Sequence, residues 1–80
     1  MAVSYDWGIA RENMKNLRVS AGLSQKILGK NLDTKAAAIC RYEKGETVPR
    51  IEYIQKFCMF FGVGIDDLYE PDLIEGVLKL

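Results

Sequence analysis

The chain has 80 residues, 49% of them hydrophobic and 28% charged, and its eleven cationic side chains are balanced by eleven acidic ones. That length suits one domain with a thin core, the composition is that of a folded chain rather than a disordered one, and the zero net charge argues against indiscriminate coating of nucleic acid. Histidine is absent and the two cysteines, Cys40 and Cys58, lie far apart in apolar runs, so the commonest general base and an ordinary zinc site are excluded. No catalytic constellation, cofactor or metal is expected.

No apolar run approaches the ~20 residues that span a bilayer. The opening MAVSYDWG carries neither the basic nor the apolar region of a secretion signal, so a cytoplasmic protein without a membrane segment is expected. Asp6 is placed to cap a helix from about Trp7 to Ala21, with Ala10, Met14 and Leu17 on one face and Gly22 as its stop. Ser24 is the N-cap of a short second helix, SQKILGKNL, whose Leu28 and Leu32 point inward. Asp33 and Thr34 form a turn, and a third helix runs to about Glu43 before Gly45, with Ala38, Ile39 and Tyr42 available to its inner face.

The stretch ETVPR reads as a loop, because Pro49 restricts both itself and Val48. A fourth helix spans Ile51 to Phe61, with Ile54, Phe57, Cys58 and Phe61 in one stripe and Gly62 at its end. VGIDDLY supplies a short fifth helix anchored by Leu68. Beyond Pro71, DLIEGVLKL is a small amphipathic tail interrupted by Gly76. The paired acids Asp66 and Asp67, and Asp72 with Glu75, read as helix-start and surface charges. Cys40 and Cys58 read as free thiols, with oxidant sensing at Cys40 as the alternative.

Charge is distributed unevenly. Residues 1–50 hold nine Lys/Arg against five acids, a net of +4, whereas residues 51–80 hold two against six, a net of −4. A polyanion would be drawn to the first half and leave the second for another role.

Leu17-Arg18, GLSQ at Gly22 to Gln25, Leu28, Leu32, Ile39, YEKG at Tyr42 to Gly45, Pro49, and FGVGIDDLY at Phe61 to Tyr69 occur in this order at fixed spacing. In that set the chain resembles the phage-repressor-like helix-turn-helix family, the Cro/Xre type of transcriptional regulator. The resemblance implies an all-α, compact five-helix lambda-repressor-like domain. Its helix-turn-helix core covers about 8–69 and its C-terminal amphipathic tail 70–80.

It also implies a site on double-stranded DNA. Ser24 and Gln25 at the head of the second helix, Lys35, Ala36, Ala37 and Arg41 on the third, and Lys44 and Arg50 flanking the following loop would face the duplex, with Ala38 turned to the core and Cys40 at the margin. Lys26 and Lys30 lie along the second helix. Arg18 and Glu43 would form a structural ion pair, with a phosphate as a second partner for Arg18. Lys35 occupies the usual place of a serine cap, leaving Asp33 or Thr34 to cap the third helix. Gly29 stands where alanine is usual, at a cost of ~1 kcal/mol in helix propensity.

The two alanines offer no hydrogen bond, although a methyl can meet the thymine methyl. Tyr53, Phe60, Leu73, Ile74, Val77 and Leu78 are expected to form an apolar homodimer surface, or else the tail folds back over Tyr53 and Phe60. The expected function is a sequence-specific DNA-binding repressor acting as a homodimer on a palindromic operator. The alternative is a protein-interaction module, an antitoxin or antirepressor, built on the same fold.

Overall fold

Four α-helices and one 3₁₀ turn account for the secondary structure in a computed structural model that describes residues 6–71 and 73. The first helix, α1 (Trp7–Ser20), starts where Asp6 Oδ1 accepts from Gly8 N at 2.8 Å. It ends at Gly22, whose φ of 72° lets the Leu23 amide turn back to the Arg18 carbonyl oxygen at 3.1 Å. The second, α2 (Gln25–Leu32), is capped by Ser24, whose Oγ accepts from Ile27 N at 3.0 Å.

The turn after α2 uses Asp33 at φ 52°, the only described non-glycine residue with a positive φ. Asp is among the residues that tolerate this left-handed region best. With α2 closed by Asp33, helix α3 (Ala36–Lys44) has Lys35 at its N-cap and no side-chain cap. The expectation that Asp33 or Thr34 caps α3 is therefore overturned. Asp33 terminates the preceding helix instead, and Thr34 Oγ1 donates to the Leu32 carbonyl at 3.1 Å.

Gly29 also changes meaning. A methyl group built there would collide with the Thr34 carbonyl oxygen, so glycine permits the close crossing of α2 and the turn.

Helix α4 (Ile51–Phe61) ends at Gly62 as its sequence indicates. The expected fifth helix is only a 3₁₀ turn, Asp66–Tyr69, so the elements among the described residues are four helices and a turn. Only six residues separate Gly64 from Pro71, which leaves no length for a longer helix. The turn is pinned locally by Gly64 N donating to Asp67 Oδ2 at 2.8 Å. At longer range, buried Asn13 donates through Nδ2 to the carbonyls of Leu68, at 2.6 Å, and Glu70, at 2.8 Å.

The core draws on every element: Ala10, Met14 and Leu17 from α1, Leu28 and Leu32 from α2, Ile39 from α3, Tyr53, Phe57 and Cys58 from α4, and Leu68 from the turn. Tyr42, Tyr53, Phe57 and Phe61 form an aromatic row with successive centroids 4.9, 6.2 and 4.6 Å apart. Tyr53, expected on a dimer surface, is thus a core residue with 8% exposure. Leu73, expected on the same surface, is half-buried against the core. The remaining tail positions, Ile74, Val77 and Leu78, lie outside the described residues. No helix among the described residues is long and apolar enough to cross a membrane.

Candidate nucleic-acid interface

Because Ile39, Tyr42 and Glu43 turn toward the body of the protein, helical spacing sends residues 37, 40, 41 and 44 the other way. Ala37, Arg41 and Lys44 are exposed, and Cys40 between them is half-buried. The protruding stripe of α3 is therefore Ala37, Cys40, Arg41 and Lys44. Ala36, expected on that stripe, and Ala38, expected in the core, are both half-buried on its flanks.

Ala36 instead lines a shallow cleft with Lys26, Gly29, Lys30, Asp33, Thr34 and Lys35. The cleft brings three ammonium groups and one carboxylate to the head of α3. There the amides of Ala36 and Ala37 have no backbone acceptor and no side-chain cap among the described residues. Unpaired amides, the positive end of the helix and three lysines together favour an anion. Ser24 presents its exposed hydroxyl at the head of α2 with one lone pair engaged by Ile27 N and its proton free.

Lys44 and exposed Arg50 flank the loop between α3 and α4. Arg50 joins Thr34, Tyr42, Thr47, Val48, Glu52, Tyr53 and Lys56 around a second open cleft. Buried Pro49 fixes that loop against the body.

Behind the stripe lies a polar clamp. Arg18 Nε donates to Glu43 Oε2 at 2.7 Å and Arg18 Nη2 to Glu43 Oε1 at 3.0 Å, with 12% and 10% of the two side chains exposed. Arg18 Nη1 donates to the Leu23 carbonyl at 2.7 Å. All three guanidinium nitrogens thus donate within the protein, so Arg18 joins α1 to α3 and to the start of α2 rather than reaching outward for a phosphate.

Gln25, expected to be free for DNA, donates through Nε2 to Glu43 Oε1 at 2.9 Å. Arg11 completes the arrangement, its Nη1 reaching the Glu43 carbonyl at 3.1 Å where α3 ends and positive charge is favoured. Sequence reasoning missed both Arg11 and Asn13. Asn13 was detectable, since positions 10, 13, 14 and 17 follow the helical inner-face spacing; Arg11 carried no comparable signal.

Burial sets the chemistry of two other groups, both on α4. Burial, then the Glu43 carboxylate and Tyr42, push the Tyr53 phenol well above its ordinary value. Burial, then Asp67, raises the Cys58 thiol. Both stay protonated and inert near neutral pH. On the far side of α4, Phe60 is 43% exposed and meets Phe61 edge-on at 5.0 Å, beside Met59 at 83% exposure.

A family model described as helix-turn-helix matches residues 14–68, from the second turn of α1 through the buried leucine of the 3₁₀ turn. No curated protein and no solved structure matches the chain.

Proposed function

Given that the chain belongs to the Cro/Xre type of helix-turn-helix family, we propose that it is a sequence-specific DNA-binding transcriptional regulator, a repressor that occupies a palindromic operator as a homodimer. The observation that carries this reading is the stripe Ala37, Cys40, Arg41 and Lys44 on a protruding helix whose head opens onto the lysine cleft. A helix fits the major groove, which is ~12 Å wide. Arg41 then faces base edges, with Ala37 beside it for a thymine methyl. Lys26, Lys30, Lys35, Lys44, Arg50 and Ser24 lie where backbone phosphates would pass.

If about four to six phosphates are neutralised per subunit, affinity falls steeply with salt. A random duplex pool selected at two salt concentrations should yield a recurrent site bound more weakly at the higher one. An antitoxin-like interaction module would select no sequence, and that outcome would remove the proposal. Arg41→Ala should weaken binding to the selected site by roughly five- to a hundredfold, the range of one bidentate base contact. Its thermal melting should stay unchanged, since Arg41 is exposed and outside the core.

One domain reads a short site weakly, and two copies read half-sites about one helical turn apart. Pairing is assigned to exposed Phe60 together with the apolar tail positions Ile74, Val77 and Leu78. Sedimentation of Phe60→Glu should give lighter particles than the parent, whereas equal mass would discard that surface.

A further inference from the structure

A glutamine at the head of a surface helix is ordinarily free to turn its amide either way, and here Glu43 removes that freedom. An ionised carboxylate accepts hydrogen bonds and cannot donate them, so the Gln25 atom 2.9 Å from Glu43 Oε1 has to be the nitrogen. Glu43 is itself immobilised by the two-pronged Arg18 contact, and Arg18 by the Leu23 carbonyl. What remains on Gln25 is one N–H and the amide oxygen. That oxygen accepts no hydrogen bond among the described residues. The one buried, unpartnered polar side-chain atom among them is Trp7 Nε1, so the Gln25 oxygen is open to solvent.

A phosphate presents only acceptors and has nothing to give to this oxygen. A base amino group does: adenine N6 or cytosine N4 supplies a hydrogen in the major groove, and adenine adds the N7 acceptor for the remaining N–H. We propose that Glu43 is a positioning residue that turns the amide oxygen of Gln25 toward the duplex, so that Gln25 reads a base amino group rather than anchoring on a phosphate. The assignment rests on the DNA-reading function proposed above and specifies what one residue of that surface recognises.

The test begins with the site selected by the unmutated protein. Exocyclic amino groups are deleted one at a time, with purine in place of adenine and 2-pyrimidinone in place of cytosine. At one position per half-site, deletion should weaken the unmutated protein by roughly five- to a hundredfold and leave the already weaker Gln25→Ala unaffected. Glu43→Gln, which can turn a donor toward residue 25, should lose the response at that position.

Equal responses of parent and Gln25→Ala at every position would overturn the assignment. So would a Gln25→Ala deficit that disappears only on DNA carrying a methylphosphonate, or an undiminished response in Glu43→Gln. Should Glu43→Gln fail to fold, ¹⁵N relaxation of the Gln25 side chain in the free parent decides whether Glu43 holds it. A rigid amide is expected, and motion like that of a free surface glutamine would overturn the positioning role. Absence of any selected site would instead dispose of the DNA-reading function itself, a result distinct from a selected site with no amino-group dependence.

Discussion

At Gly29 local propensity and tertiary contact predict opposite signs. Alanine in a helix interior is favoured over glycine by ~1 kcal/mol, so propensity alone makes Gly29→Ala stabilising. The new methyl, however, would meet the Thr34 carbonyl oxygen, part of the backbone that turns α2 into α3. Overpacking against a constrained neighbour costs ~1–3 kcal/mol. Gly29→Ala should therefore lower stability, by up to about 2 kcal/mol in urea unfolding, and a gain would mean the turn moves aside freely. The sequence shows Gly29 as a weak point because its partner is a backbone atom, which leaves no mark in residue types. Asn13 is hidden for a related reason. Its spacing puts it inward and its polarity argues outward, and the conflict is resolved by the carbonyl of Leu68, 55 positions further along the chain.

Among elements, α1, α2 and α4 are legible because each carries its own punctuation, Asp6 and Gly22, Ser24, and Gly62. The start of α3 is not. Asp33 and Thr34 are both capping residue types, and both are occupied in closing α2, so the N-cap falls to Lys35. The protruding stripe follows from that boundary and from the inward set Ile39, Tyr42 and Glu43. It admits Cys40 and sends Ala36 to the flank, which the family pattern did not disclose. The Arg18–Glu43 contact was legible through that same pattern, whereas the attachment of Gln25 to Glu43 emerges only from three-dimensional proximity.

An uncapped helix head can be improved. Lys35→Ser should stabilise the protein by about 0.5–2 kcal/mol in thermal or urea unfolding, the usual worth of an N-cap oxygen. It should also weaken DNA binding almost uniformly across sequences, because a cation of the lysine cleft is lost. A loss of stability would show that Lys35 Nζ has a structural role, and unchanged DNA affinity would place the cleft away from the phosphates.

Along the whole chain, charge is positive over residues 1–50, which hold α1, α2, α3 and the lysine cleft, and negative over residues 51–80, which hold α4 and the 3₁₀ turn. What composition hides is the behaviour of the core in alkali. Tyr53 and Cys58 sit on the buried face of α4, and burial holds both in the neutral form above their ordinary values of 10.0 and 9.0. In the unfolded chain each loses its proton near those ordinary values, so above them the unfolded state binds fewer protons than the folded one. Stability must then fall as pH rises, by at most ~1.4 kcal/mol per pH unit for each group.

Below about pH 8 neither group contributes a slope, because both states hold the proton. Unfolding free energy should accordingly be level through neutral pH, decline from about pH 8 as Cys58 ionises in the unfolded chain, and steepen from about pH 9 to 10 as Tyr53 follows. Cys58→Val should remove the first component and Tyr53→Phe the second, each judged as a change in slope rather than in absolute stability, since both substitutions also alter packing. A parent whose stability is level to pH 11, or variants with the parent's slopes, would show that these two side chains meet water in the folded state and that the inner face of α4 is not sealed.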